Sequence, residues 1–575
     1  MALKSTINDA MERLTTIKVL IVMDGSPGDI APASFGPGDT GDGYFGLSEF
    51  LRTLAGGLDE AAPAPSITKF TVTKAHRGTD PGDFSDPNLA PFKPDFEQFQ
   101  FDQHDLSAYD EIWLFGVAGA SDVGTTQNLT DSELQKIAAF MDGGGGVFAT
   151  GDHEDHGLQM CGRVPRVRTM RKWYFDESGL GQPDPDGAPS APSALGADRI
   201  DTLQLSRGQE LITDPPSVLF DNQSDDNPQT ISPQFFSGTM PHPVLSVQVF
   251  SPAVRNFPLV RPITVLPDHM HEGEVLDTPW TTDATLIFNG QSFVEYPLDA
   301  PGKQLLPRLV AQGQVWAHET DPSEMIHQSD PNSICNPRTF GIIGAYDGHY
   351  VNRGRVVVDS TWHHFFDINL IGDPLAPPPK NQGFKATPEG RLALSDIKRY
   401  YLNTAIWLAP AATHIAGFQG YVLFCRYSYP LNEILKSRRR SSPPPAVLEI
   451  GAVALNMLRR FTNDNLLYSS LLAHLRLKWR QRQLTLPLPD PWCSVPTAGA
   501  ASPVSPTLLL QAALGGAVIR LARELTNVST HDPQSLADAV RRIVPPGIDE
   551  GLQAVAADLV EECKQTNALA EALRS

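Results

Sequence analysis

Eight short apolar runs constrain this chain more than any other feature. They are KVLIVM (Lys18 to Met23), ITKFTV (Ile67 to Val72), EIWLFGV (Glu111 to Val117), GVFAT (Gly146 to Thr150), ITVL (Ile263 to Leu266), ATLIFNG (Ala284 to Gly290), FGIIGAY (Phe340 to Tyr346) and RVVVD (Arg355 to Asp359). Most are continuous rather than alternating. Continuous β-branched runs suit strands covered on both faces, as in parallel sheets. Helical patterns separate the early runs. YFGLSEFLRTL (Tyr44 to Leu54) follows the first, and LTDSELQKIAAFMDGG (Leu129 to Gly144) precedes the fourth. In the latter, Thr130 and Glu133 form a capping-box pattern and Gly143 marks the stop. Strand and helix in alternation predict an α/β domain with a mostly parallel, flavodoxin-like sheet flanked by helices.

The punctuation divides the chain further. Residues 1–16 read as a helical segment and 17–375 as the α/β domain. Within that domain, residues near 181–233 are rich in Pro, Asp, Ser and Gly and read as a surface insertion with little regular structure. APPPKNQG opens a linker and docking helix over 376–445, with DIKRYYLNTAIWLA as the helix. SRRRSSPPP then precedes residues 446–575, whose patterns are almost purely helical and predict a smaller all-α C-terminal domain.

Composition excludes several classes. A net charge of -21 argues against general nucleic-acid binding, which needs a basic footprint. The five cysteines are scattered and form no CxxC pair, so neither a disulfide framework nor a thiolate zinc site is expected. The N-terminus lacks an apolar signal core and no long apolar run spans a membrane, so the expected location is cytoplasmic. Residues 436–483 hold ten Lys/Arg against two Asp/Glu. That segment is either a basic helical face docking onto the acidic domain or a surface for an anionic partner.

Ligands of open α/β sheets bind beyond the strands' carboxyl ends. Three of those ends deliver histidines. GVFAT is followed by Gly151-Asp152-His153-Glu154-Asp155-His156, ITVL by Asp268-His269-Met270-His271-Glu272, and RVVVD by Ser360-Thr361-Trp362-His363-His364. Imidazole and carboxylate together suit zinc, iron, nickel or manganese. His153, His156, His269, His271 and His363 are the candidate metal ligands, and Asp152, His153, Glu154 and Glu272 the candidate catalytic groups. His153 and His156 are three apart, so HExxH and a zincin site are not supported. The rival reading for each motif is capping and loop hydrogen bonding. His242, in MPHPVL, is held by two prolines and reads equally as a ligand or a turn residue.

The order strand, helix, YDEIWLFG, LTDSELQKIAAFMDGGGGVFATGDHE resembles the class I glutamine amidotransferase-like superfamily, closest to its trehalose-utilisation (ThuA-like) branch. The resemblance covers about residues 17 to 375. It implies a sharp turn after the GVFAT strand that exposes the functional residue. Amidotransferases place a nucleophilic cysteine there. ThuA-like proteins carry Gly-x-His, matched by Gly151-Asp152-His153. MPHPVL and GRVVVDSTWHHFF are also similar to that branch. Cys161 lies eight residues beyond His153, so no thiol stands at the turn and glutaminase activity is not expected.

These readings converge on an enzyme with a His/carboxylate pocket, acting on a carbohydrate-like or other small polar substrate, with metal-assisted hydrolysis or acid-base chemistry as its reaction. The alternative is a non-catalytic small-molecule-binding or assembly protein with a degenerate amidotransferase-like domain.

Overall fold

The computed structural model describes residues 2–25, 33–37, 46–56, 67–119, 128–152, 156–173, 218–220, 229–236, 240–251, 257–267, 274–299, 302–320, 329–372, 380–437, 444–481, 492, 505–525 and 532–572. Ten described strands form the main sheet. They are β1 (Thr16–Met23), β2 (Lys69–His76), β3 (Glu111–Phe115), β4 (Gly146–Thr150), β5 (Val218–Phe220), β6 (Gln229–Pro233), β7 (Val265–Leu266), β8 (Arg308–Thr320), β9 (Ser329–Tyr346) and β10 (Val356–Asp359). The parallel core runs β2-β1-β3-β4-β10, and β9, β8, β6 and β7 extend it antiparallel, with β5 on β8. The expected α/β class and mostly parallel core are therefore present.

The apolar runs are continuous because both faces are covered. Along β1, Val19 and Ile21 join one core while Leu20 and Val22 join the other. Val357 of β10 shares the first, and Val356 and Val358 the second. Helix α1 is Ala2–Thr15, α2 is Ser48–Leu54 and α3 is Asp131–Asp142. Phe50 of α2 stacks edge-on to Phe365 and lies 5.1 Å from Trp113, which stacks on Phe148 at 4.3 Å. Leu134, Ile137 and Met141 of α3 cover the opposite face. The Thr130–Glu133 capping box forms as the sequence predicts, with both reciprocal bonds present.

Three expectations change. ATLIFNG holds a strand, but outside the main sheet: Thr285–Phe288 pairs with Gln291–Val294 in a two-stranded hairpin, alternately exposed and buried. Asn289 and Gly290 turn it at φ 48 and φ 79, and an Asn-Gly pair with two positive φ values is the preferred hairpin turn. ITVL contributes only the two residues of β7. The insertion near 181–233 is not wholly irregular, because β5 and β6 lie at its end and pair with β8. Their short length hides them among turn residues.

The remaining helices are α4 (Leu158–Cys161), α5 (Asp367–Ile371), α6 (Pro388–Leu408), α7 (Ala411–Arg426), α8 (Tyr429–Ser437), α9 (Pro444–Leu458), α10 (Asp464–Gln481), α11 (Pro506–Glu524) and α12 (Pro533–Ala572). The C-terminal helices form the expected helical region, and α1 packs into it against α7 and α12. Helix α9 approaches α11 so closely that a Cβ on Gly515 would stand 1.9 Å from the Val447 carbonyl oxygen. No described helix is long and apolar enough to cross a membrane.

The helical region grips the sheet through buried polar groups. Arg355, at the entry to β10, donates to both oxygens of Asp347, to Ser469 of α10 and to the carbonyl of Trp407. Arg476 of α10 also reaches Asp347, and Arg480 donates to the carbonyls of His349 and Tyr350. Arg459 pairs with Asp464, and Lys478 with Asp549. These four basic residues of the 436–483 segment are thus engaged inside the chain.

His414 Nε2 of α7 lies 3.0 Å from Arg355 Nη1 and 3.1 Å from the Trp407 carbonyl oxygen, and its Nδ1 lies 2.9 Å from Ser470 Oγ. Burial and Arg355 hold His414 down at about 3, and His242 is likewise held down at about 3. A depressed histidine contributes stability that is complete above its ordinary value and lost as pH falls through the folded one. The thermal midpoint should therefore drop as pH is lowered from about 6.5 towards about 3. His414→Gln, which keeps an acceptor and removes the proton site, should make that drop shallower; circular dichroism melts across the range measure it.

Candidate active site

The order β2-β1-β3-β4-β10 reverses direction between β1 and β3, and such switch points hold ligands at the carboxyl edge. Asp24, the first residue past β1, sits there with no exposed surface. Its Oδ1 accepts from the backbone N–H groups of Val117 (2.6 Å) and Ala118 (3.1 Å), which bends the chain leaving β3 across the edge. Its Oδ2 has no hydrogen-bond partner among the described residues. Burial pushes the carboxyl up to about 6 against those two backbone bonds.

Next along the edge, the ends of β3 and β4 touch backbone to backbone. A Cβ on Gly116 would stand 2.5 Å from Gly157 Cα, and one on Gly151 2.2 Å from the His156 carbonyl oxygen. Gly157 itself has φ +91. Side chains would force these segments apart, so the glycines define a tight turn after β4. His156 closes it, with Nδ1 2.8 Å from the Val117 carbonyl oxygen.

The ends of β4 and β10 are neighbours, and they bring Asp152 and His363 together. Asp152 Oδ2 lies 3.5 Å from His363 Nε2. Both groups are held from behind. Thr361 Oγ1 donates to Asp152 Oδ1 at 2.8 Å, and His363 Nδ1 is 2.9 Å from Asn369 Oδ1 of α5. With Asn369 presenting its oxygen, Nδ1 donates and Nε2 is left as an acceptor; with the amide turned over, Nε2 donates to Asp152 instead. A second pair lies beside the first. His364 Nδ1 is 2.7 Å from Asp359 Oδ1, whose other oxygen accepts from Tyr400 at 2.6 Å.

A strap over residues 170–173 locks this edge. The Arg171 guanidinium is fully buried, 4.3 Å over the Trp173 ring. Its Nη2 donates to the carbonyls of both Asp152 and Ser360 (2.9 Å for the latter), tying β4 to β10 just past their last residues. Arg171 also bridges to Val275, which bridges to Gly341 of β9. Lys172 N donates to the Glu274 carbonyl at 3.0 Å, and the two side chains form an ion pair.

Of the residues singled out in the sequence, the structure unites Asp152 and His363. His156 belongs to the turn, as a capping residue would. His153, Glu154, His269, His271 and Glu272 lie outside the described residues. Among the described residues no three His, Cys, Asp or Glu groups form a metal-ligand set. His242 caps the short helix Pro243–Leu245 through Nδ1 and packs against Trp407, so it serves the turn reading. Cys161 is buried beneath β4, and burial raises its thiol well above the ordinary range, which keeps it un-ionised. Sequence reasoning missed Asp24 as a buried group, Thr361 and Asn369 as supports, and Arg171 as a clamp. Only Asp24 had a signal, its place directly after a strand.

No family model matches this chain, and neither a characterised protein nor a solved structure gives a significant match. The reading of this edge therefore stands on its own geometry.

Arg171→Met should strand the Asp152 and Ser360 carbonyls, at about 1–3 kcal/mol for each buried group left unpaired. Denaturant unfolding followed by tryptophan fluorescence measures the loss. An unchanged midpoint would mean that the clamp carries no weight.

Proposed function

We propose that this chain is an enzyme of the hydrolase type. Asp152 and His363 form the core of its reactive centre, at the carboxyl edge of β4 and β10. One observation carries the reading: Asp152 Oδ2 and His363 Nε2, each able to bind a metal ion, lie 3.5 Å apart. With the His363 proton on Nδ1, a metal ion or a second proton on the imidazole would hold the two groups together. The separation exceeds the 2.7–2.9 Å or so of a charge-assisted hydrogen bond. It is close to the roughly 3.3 Å between two ligands that each sit about 2.0–2.1 Å from one tetrahedral ion.

The supports fit the same reading. Metal-bound imidazoles usually donate their other N–H to an oxygen, and metal-bound carboxylates are themselves hydrogen-bonded. Asn369 and Thr361 supply those two contacts. Asp152 and His363 would hold a zinc, iron, nickel or manganese ion. His153, His269 and His271 are the further ligands proposed from the sequence, and they lie outside the described residues. When bound, such an ion lowers the pKa of water and polarises a substrate oxygen. The chain's own work is to orient the two ligands and to keep the His363 proton on Nδ1. A carbohydrate-like or other small polar substrate rests on the ThuA-like resemblance alone.

Acid-base chemistry without a metal is the second reading, favoured by the same pair if a proton bridges it. Elemental analysis of the purified protein after loading with each metal separates the two. The metal reading expects about one tightly held ion per chain, lost in His363→Ala and Asp152→Ala. Asn369→Leu should weaken binding by about 10–100-fold. A chain that holds no ion under any loading condition supports the proton-bridged pair.

A further inference from the structure

The C-terminal helix runs on past the body of the protein. Up to Val555, α12 is clamped to its neighbours. A Cβ on Gly551 would stand 2.0 Å from the Ala512 carbonyl oxygen of α11, and Leu552 packs against the core of the helical region. Beyond Val555 the helix leaves the body. From Ala556 to Ala568 every residue is exposed except Leu559, which is half-buried. That stretch is about 20 Å long at the usual helical rise. The Glu561–Lys564 ion pair along it, at 3.6 Å, lies in open solvent and adds little. A helix of this length is marginal on its own in water, so its persistence calls for a second surface to pack on.

The residue pattern of this arm points to another helix. Leu552, Ala556, Leu559, Cys563 and Thr566 are spaced by four, three, four and three, the alternation of a coiled-coil seam. Ala570 and Leu573 continue the spacing in the sequence. Val560 flanks the seam and is 55% exposed, and the Cys563 thiol is free and exposed. Asp558, Glu561, Glu562 and Lys564 all fall outside the seam positions. Two copies of the arm can therefore meet along the seam without setting like charges against each other, despite the chain's net charge of -21.

We infer that the arm pairs, antiparallel, with the arm of a second copy of this chain. The seam alternates small and larger residues, Ala556 and Cys563 in one set, Leu559 and Thr566 in the other. Antiparallel helices set one set against the other. About an axis between Lys564 and Gln565, Cys563 meets Thr566 of the second copy, and Leu559 meets the alanine that the sequence has at 570. Each layer then holds one small and one larger side chain, which fills the seam evenly. A parallel pair would set Ala556 on Ala556 and Cys563 on Cys563, leaving gaps at both. An overlap of this size falls at the small end of protein interfaces, below about 1,200 Å² in total, so the dimer forms at micromolar concentrations and above. The arm is separate from the Asp152–His363 edge and does not depend on the reading proposed for it.

Sedimentation equilibrium of the full, reduced chain tests this across the micromolar range. A reversible monomer–dimer equilibrium is expected. Leu559→Asp places a charge in the seam and should raise the dissociation constant by about tenfold or more, with the circular dichroism of the body unchanged. Should that chain fail to fold, Val560→Asp, at a more exposed position beside the seam, takes its place. Direction is read from a Thr566→Cys chain. Mild air oxidation should join Cys563 of one copy to the introduced thiol of the other, as peptide masses report. A chain that stays monomeric throughout, a dimer untouched by the folded aspartate variant, or bridges only between like positions would each overturn the proposal.

Discussion

The contact on which the candidate site depends is one buried guanidinium holding two carbonyl oxygens. Arg171 joins Asp152, just past β4, to Ser360, just past β10. Beside that bridge, the two loops meet through the last rung of their ladder, Asp359 against Thr150, through Trp362 N on the Gly151 carbonyl at 2.9 Å and through Thr361 on Asp152. With these contacts, the carboxylate of one and the imidazole of the other are set at a fixed separation. The glycine contacts at Gly116, Gly151 and Gly157 provide the room, and the Arg171 bridge fixes the distance. Asn369 and Thr361 then fix the direction in which each reactive group points. Position and orientation come from different residues, and none of these supports is itself a reactive group.

Much of the fold was legible in the sequence. KVLIVM, EIWLFGV, GVFAT and RVVVD are strands because a strand covered on both faces carries an uninterrupted apolar run, and that signal is local. The helix before GVFAT was legible for the same reason, since Thr130, Glu133 and the glycines around Gly143 write both ends. The hairpin at Asn289-Gly290 was misread because its apolar content outweighed its turn signal. Strands β5 and β6 were missed because three- and five-residue strands leave too short a pattern among turn residues. At the site, Asp152 and His363 were legible as strand-end residues. Their pairing was not, because β4 and β10 are adjacent only in the folded sheet. Arg171 left no trace, since nothing in its neighbourhood shows that an arginine is buried.

The seam between sheet and helices follows a different logic from the cores on the sheet faces. It is built from Arg355, Asp347, Arg476, His414 and the amides of Asn403, Asn463 and Asn465. Replacing such groups with apolar ones often leaves stability equal or higher, whereas removing one partner is costly. What the polar seam contributes is selectivity of docking. Helices α6, α7 and α10 meet the sheet in one register because each donor must find its acceptor. The mainly apolar contacts among α9, α11 and α12 place no such demand, and backbone-to-backbone contact at glycine takes over that role there.

The place of β10 has a consequence for how the chain is made. Strand β4 is synthesised early, yet its partner on one side begins at Val356. At usual synthesis rates of about 5–20 residues per second, β4 waits on the order of 10–40 s for that neighbour. During this interval its outer edge is a row of unpaired backbone groups beside an apolar surface, the arrangement most open to pairing with another chain. The Asp152–His363 pair shares that delay, because the two residues meet only when the gap is filled. This edge of the sheet is therefore among the last parts of the domain to assemble.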